Sequence, residues 1–373
     1  MTDKYLIDSH KYVFHPEHSA KHLQYIRNPA DHNSSEAYKQ QHPIYIEVSP
    51  VGACNHRCTF CAVDYIGYKS IFMDLERYKS SIDSMIGKEC KSIMFAGEGE
   101  PLLHQNISDF VNYTKEVGAI DTSFTTNAFK LSTDFVHRSL HNVSWIKVSF
   151  NGGNSKTYSA IHRTNEKDFD VVVNNLAYAV KYRNSNKLST AFGFQMLLLP
   201  DNVDSVHQLC KLAKEIGLDY VVIKPYSQHK FSNTQQYENI DYSEYLGLEK
   251  ELTQYNDENF NVIFRVNTIK NWINQNTNRY CHCYATPSTW AYWMADGAVY
   301  SCSAYLLDKR FELGNINDRK FDEIWCSDAR MKHADYVMND LDIKECRVNC
   351  RMDQVNRYLD SIVNNKIDHI NFI

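Results

Sequence analysis

The chain has 373 residues, enough for one large domain and a smaller one, and at 43% hydrophobic it can fill a sizeable core. A net charge of -5 and a pI near 6.3 exclude a broad nucleic-acid surface, while leaving room for a local basic groove. The polar start MTDKYLIDSHKYVFHP lacks the apolar stretch of a secretory signal, and no run of 18 apolar residues offers a membrane span, so a cytoplasmic protein without membrane partners is expected.

Residues 1–43 are polar, rich in His, Asn and Tyr, and show no clear period. They read as an N-terminal extension that wraps the main domain or leads into it. It is too short and too polar for a domain that recognises a peptide leader. Short apolar runs then alternate with longer amphipathic ones. Strands are expected at Ile44–Val48, Lys91–Phe95, Asp121–Thr125, Trp145–Phe150, Ala191–Leu199 and Tyr220–Ile223. Helices are expected at Leu75–Ile86, Ile107–Val117, Phe169–Tyr182 and Val203–Ile216. Such alternation makes a parallel sheet with right-handed crossovers. About six units over 44–231 predict an α/β fold, an open partial (β/α)6 barrel with its site at the C-terminal rim. Residues 232–255 read as a polar connecting helix. Residues 256–373 change character, with strands at Asn261–Val266 and Ala298–Tyr300, helices, and six of the eleven cysteines. They predict a small C-terminal α+β domain.

The run CNHRCTFC holds Cys54, Cys58 and Cys61 in one loop, with Phe60 before the last thiol. Three thiolates so close cannot all pair as disulfides, but they can hold three corners of an iron–sulfur cube. A four-iron cube so held keeps one iron free for chemistry. An uneven, odd set of cysteines fits metal ligation in a reducing compartment better than a disulfide framework. The competing reading is a structural zinc with His56 as a fourth ligand.

The cysteine run resembles the signature of the radical S-adenosylmethionine (SAM) superfamily. That resemblance implies a 4Fe–4S cluster whose open iron chelates SAM. It also implies one-electron cleavage to methionine and a 5'-deoxyadenosyl radical, which takes a hydrogen atom from the substrate. Gly97–Pro101 (GEGEP) resembles the family's GGEP motif, putting Gly99, Glu100 and Pro101 near the SAM amino group, with Glu98 as an extra acid. Asn127, at the end of a TTN strand, resembles a rim residue near the cofactor. Ser149 and Asn151 resemble positions near the SAM ribose or carboxylate. Arg163 could pair with that carboxylate two-pronged. Gln195, polar between apolar neighbours, is expected to face the barrel interior near adenosine. Solvated turns, helix caps or a core amide are the competing readings of these positions.

The run KPYSQH offers Lys224, Tyr226 and His229 at a strand end. Lys224 and Tyr226 are the expected substrate contacts, and Lys224 or His229 the expected base. A solvated loop is the alternative.

In the C-terminal part, MADGAVYSC resembles the start of a SPASM/twitch auxiliary domain, and LGNI and IWCSDARM fit the same pattern. The resemblance implies one auxiliary 4Fe–4S cluster on Cys283, Cys302, Cys346 and Cys350. Cys281 competes with Cys283, because CHC offers two donors, and structural zinc is the other reading of the four cysteines. Cys326 reads as structural, and Cys90 and Cys210 as buried thiols.

The resemblance implies flavodoxin or ferredoxin as electron donor. The polar KPYSQH rim favours oxidation of a small polar substrate, such as a sugar, cyclitol or nucleotide sugar. Peptide modification is the main alternative. A non-catalytic metal-binding protein and a radical methylating enzyme are others.

Overall fold

The computed structural model describes residues 4–86, 88–274, 279–364 and 368–372. Ten strands join in one sheet: β1 (Tyr45–Val48), β2 (Ser92–Phe95), β3 (Asp121–Thr126), β4 (Trp145–Ser149), β5 (Ala191–Leu198), β6 (Tyr220–Pro225), β7 (Asn261–Phe264), β8 (Trp290–Trp293), β9 (Ala298–Tyr300) and β10 (Glu312–Asn315). Their order is β10-β9-β8-β1-β2-β3-β4-β5-β6-β7. Every pair from β8 through β1 to β7 is parallel, and β9 and β10 continue the sheet antiparallel. The sheet has two free ends, so the fold is the expected α/β open partial barrel, with mixed strands in the C-terminal part.

Period-2 alternation sorts each strand's side chains between two faces. Ile146 and Val148 of β4 and Phe192, Phe194, Met196 and Leu198 of β5 are buried in the main core. They share it with Val172, Leu176, Leu209 and Ala213 from helices Lys167–Ser185 and Val206–Ile216. The alternate residues Trp145, Lys147, Ser149 and Gln195 are only half-buried and line the concave face. That face is polar in the middle of an otherwise apolar domain, and it is where a ligand can sit. Crossover helices start on side-chain caps: Asp74 accepts from the Arg77 amide at 2.8 Å, Ser132 from Phe135 at 3.1 Å and Asn154 from Thr157 at 2.9 Å.

The sheet reaches further than the sequence pattern indicates. The strand expected to open the C-terminal part, β7, pairs parallel with β6 and extends the barrel. β8, absent from the expectations, pairs parallel with β1. All four residues of β8 (WAYW) are buried, so no alternation marks it as a strand. Residues 232–255 do not form one connecting helix. They contain a five-residue helix, Leu248–Leu252, between 3-10 turns at Tyr242–Tyr245 and Thr253–Tyr255.

The N-terminal extension forms helices Pro16–Arg27 and His32–Lys39. One link to the C-terminal part is the buried Arg330, whose guanidinium donates to the carbonyls of Tyr38 (2.8 Å), Lys39 (3.0 Å), Pro287 (3.3 Å) and Trp325 (2.5 Å). A charge buried this deeply is tolerable because carbonyls surround it. Among the described residues no helix is long and apolar enough to cross a membrane.

Candidate active site

Cys54, Cys58 and Cys61 are half-buried free thiols in the loop after β1. The loop is held by its neighbours' backbones: Arg57 N–H donates to the His162 carbonyl (3.2 Å), Thr59 N–H to Ile161 (2.8 Å) and Glu100 N–H to Ala53 (2.8 Å). Burial pushes the Cys54 thiol up to about 12 and the Cys58 and Cys61 thiols upward too. Charge on Glu100 and then Cys61 adds to the rise at Cys54, and charge on Cys54 and Cys61 adds to it at Cys58, in keeping with three sulfurs held near one another. Three converging soft donors from one short loop fit a 4Fe–4S cluster that keeps one iron open.

His162 ends helix Ser155–His162 and turns its ring into this loop. Its Nε2 accepts the Asn151 amide at 3.1 Å, so the ring proton sits on Nδ1 and points at Cys58 Sγ, 3.2 Å away. Phe60 packs edge-on against the same ring, centroids 5.8 Å apart. The ligand atoms of His56, Cys58 and His162 lie within 4.8 Å of one another. A protonated Nδ1 cannot ligate, so this trio offers a small ion only two donors. Sequence reasoning misses His162, since nothing ties it to a cysteine 104 residues away.

The GEGEP run packs directly on the cysteine loop. A Cβ at Gly99 would lie 2.2 Å from the Val51 carbonyl oxygen and 2.4 Å from that of Ala53. Gly97 has φ +117° and faces Ser49 as closely. Glu98 reaches away from the cofactor region: it accepts from Tyr292 OH and the Ala295 amide, both at 2.9 Å, and so ties the end of β2 to the end of β8. Glu100 accepts from the Leu102 amide (3.0 Å), Thr126 Oγ1 (2.5 Å) and the Asn127 amide (2.8 Å), and Pro101 begins a 3-10 turn. Burial raises both carboxyls, and these donors oppose the rise.

Several residues expected at the cofactor have side chains engaged within the protein. Asn127 donates to Asn55 Oδ1 (2.8 Å) and accepts from the Phe129 amide (3.0 Å). Asn151 Oδ1 accepts the Leu197 amide at 2.7 Å. Ser149 and Gln195 face the concave side from adjacent strands, paired in register. Arg163 is exposed, with φ 48°, immediately after the His162 helix.

Lys224 lies at the end of β6 on the concave face. Burial, then the charges of Lys147, Arg265 and Arg347, hold its amine well below the usual lysine range. The Tyr226 hydroxyl is buried without a hydrogen-bond partner, and burial pushes it up to about 12. His229 is less suited to be a base than the sequence reading allows. Its Nδ1 accepts the Phe231 amide at 3.1 Å, its ring stacks on Tyr65 at 5.3 Å, and burial lowers it to about 4. The imidazole is neutral at pH 7 with its lone pair already used.

Cys283, Cys302, Cys346 and Cys350 line one largely apolar cavity with Trp290, Tyr305, Phe311, Val337 and Leu341. Cys281 is exposed and does not line it, so the CHC pair is divided between surface and cavity. Cys326 lies elsewhere, grouped with His42 and Asp322. Four soft sulfurs around one cavity fit a fully ligated cluster. Tyr305 OH is 3.4 Å from Cys346 Sγ, and Asn356 Nδ2 3.6 Å from Cys283 Sγ. Arg279 clamps the Cys346–Cys350 loop through the carbonyls of Ile343 (3.1 Å), Cys346 (3.4 Å) and Arg347 (3.2 Å). The turn at Gly297 (φ +85°), which feeds Cys302, packs against Asn315 and Asn317 and leaves no room for a Cβ.

Residues 48–213 match the radical SAM superfamily, and residues 281–351 match SPASM, an iron–sulfur cluster-binding domain. Among curated proteins, GTP 3',8-cyclase of Chlorobaculum tepidum is 34% identical over 88 residues, covering 23% of this chain and 26% of that protein. GTP 3',8-cyclase of Rhizobium etli is 28% identical over 218 residues, covering 55% and 60%. A protein of Brachyspira hyodysenteriae named GTPase Obg is 25% identical over 181 residues, covering 46% and 26%. The chain thus spans between 26% and 60% of the length of these relatives. Among solved structures, Streptococcus suis SuiB bound to S-adenosylmethionine has TM-score 0.62 at 16% identity, covering 86% of this chain and 77% of that one. Native anSMEcpe with bound AdoMet has TM-score 0.56 at 18% identity, covering 87% and 100%. Both share the fold.

Proposed function

We propose that this chain, a radical SAM enzyme that carries an iron–sulfur SPASM domain and uses SAM and 4Fe–4S clusters, oxidises a small polar substrate held against the concave face of its barrel. The observation that carries the reading is the polar stripe of Lys147, Ser149, Gln195 and Lys224 lying on that face of the sheet that also joins the two cysteine sets. The clusters, held on these cysteines, together with SAM would supply one-electron cleavage of the sulfonium, removal of a substrate hydrogen atom, and a place for the electron that the substrate then loses together with a proton.

The protein's part is binding, orientation and exclusion of water. Cys54, Cys58 and Cys61 hold the first cluster, and Cys283, Cys302, Cys346 and Cys350 hold one auxiliary cluster. Gly99 brings backbone close to the cysteine loop, and Glu100 fixes the ends of β2 and β3 so that the Gly99–Pro101 backbone meets the SAM amino group. Ser149 and Gln195 face the adenosyl end, and Arg163 pairs with the carboxylate. Asn127 and Asn151, whose side chains are hydrogen-bonded within the protein, shape the rim beside the cofactor. Lys224 and Tyr226 meet the substrate. On this reading residues 44–231 perform the radical chemistry, 256–373 accept the electron, and a flavodoxin or ferredoxin supplies the first cluster.

Anaerobic reconstitution with SAM, dithionite and a panel of sugars, nucleotide sugars and peptides tests this. The expected product is lighter than its substrate by two hydrogens, with one 5'-deoxyadenosine formed per product. A peptide as the sole modified component overturns the small-substrate reading. Intact SAM under reduction overturns the radical one.

A further inference from the structure

Two lysines project onto the concave face, and two arginines from neighbouring segments lie near Lys224. Lys147 projects from β4 and Lys224 from the end of β6. Arg265 follows β7 directly, its amide donating to the Ile223 carbonyl at 2.9 Å. Arg347 sits in the loop between Cys346 and Cys350. The charge neighbours of Lys224 are Lys147, Arg265 and Arg347, with no acid among them. Between the two lysines lies β5, where the Tyr220 ring fills the space that a Cβ would need at Gly193. Tyr220 also packs on Tyr5, at 5.1 Å, which closes that end of the concave face with apolar rings.

Buried cations are normally paired. Here Arg265 has one partner, Asp8, at 3.2 Å. Among the described residues, no carboxylate lies within ion-pair distance of Lys147, Lys224 or Arg347, and the Arg347 Nε is buried without a hydrogen-bond partner. Lys147 and Lys224 thus carry charge that no carboxylate answers; the Lys147 ammonium lies over the Trp145 ring at 5.3 Å, and Arg347 also lines the cavity of the four C-terminal cysteines.

We infer that the substrate carries a phosphate or diphosphate group, and that Lys147, Lys224, Arg265 and Arg347 hold it. This rests on the proposed function above and names its substrate class. A single carboxylate would leave most of the charge unmatched. A phosphoryl group brings about two negative charges, and a diphosphate more, with oxygens spaced for the guanidinium fork. With the anion bound, Lys224 remains an ammonium, so its work is binding and not proton removal. Burial first, and then repulsion from the neighbouring cations, is the cost of the empty site, and both lower the Lys147 and Lys224 amines.

The test is a calorimetric titration of inorganic pyrophosphate, inorganic phosphate and malonate into the reconstituted holoenzyme. Pyrophosphate is expected to bind tightest and malonate weakest. Lys147→Met and Lys224→Met should each weaken pyrophosphate by about tenfold or more, while raising the thermal midpoint because repulsion is relieved. Loss of affinity with gain of stability is a pair that a purely structural lysine would not give. Absence of pyrophosphate binding, equal binding by the variants, or malonate binding as tightly as pyrophosphate overturns the inference. Holoenzyme that cleaves SAM but ignores pyrophosphate leaves the proposed function standing. Holoenzyme that binds pyrophosphate but leaves SAM intact overturns the proposed function alone.

Discussion

The imidazole of His162 donates its Nδ1 proton toward the sulfur of Cys58 at 3.2 Å because the Asn151 amide, at 3.1 Å, has already claimed Nε2. Hydrogen bonds to cluster sulfurs stabilise the reduced, more negative state and raise the potential. His162→Phe keeps a buried ring but removes the donor. Its first cluster should retain its iron and show a more negative midpoint in a redox titration followed by EPR. An unchanged midpoint would show that this contact does not tune the cluster. The Asn151 amide loses its acceptor too, so a stability loss of about 1–3 kcal/mol should accompany the shift.

Gly99 is where the second motif presses on the first. An added Cβ would meet carbonyl oxygens at 2.2 and 2.4 Å, and these belong to backbone that cannot rotate away. Gly99→Ala should therefore push the cysteine loop outward. Iron retained after gel filtration should fall, and thermal stability should drop by about 1–3 kcal/mol. Gly247→Ala, where a Cβ meets nothing within 4 Å, is the control and should leave iron content unchanged.

How legible each element is in the sequence depends on the range of its signal. The β1 to β6 strands announce themselves as short apolar runs with polar ends set between amphipathic helices, and the cysteine spacing lies within one loop, so both are readable from short windows. β8 is not, because WAYW is buried on both faces and its parallel partner β1 lies more than 240 residues earlier. The extra acid Glu98 reads in sequence as part of the cofactor motif, and only the fold reveals Tyr292 and Ala295 as its partners. Lys147 is an ordinary strand lysine in WIKVS until β4, β6 and β7 bring it beside other cations.

Cys281 and Cys283 are two residues apart and differ in placement, one exposed and one lining the sulfur cavity. If the four cavity cysteines hold the auxiliary cluster, Cys281→Ser should leave about eight irons per reconstituted chain. Cys283→Ser should leave about four, or a labile cluster that EPR distinguishes from the wild type. The reverse pattern would assign the outer thiol as ligand. Bound zinc in place of the second set of irons would remove the auxiliary cluster altogether.

Lys147 gives the concave face a pH signature. Burial and then Arg265 bring its amine from 10.5 down to about 8 in the folded chain. Between those values the unfolded chain binds the extra proton and the folded chain does not, so this group makes stability rise with pH. Below about 8 both states are protonated, and the full penalty for a buried charge beside Arg265 is present. Lys147→Met removes the penalty, so without an anion the variant should be the more stable protein at pH 7. The difference between variant and wild type should shrink as pH rises from about 8 toward 10.5, where the folded amine is neutral at no cost. Urea denaturation of both proteins across that range reads the difference directly and cancels the titration of every other group. A gap that stays constant with pH would mean that Lys147 is not held in this cationic setting. Because the same proton supports anion binding, pyrophosphate affinity of the wild type should fall over the same interval.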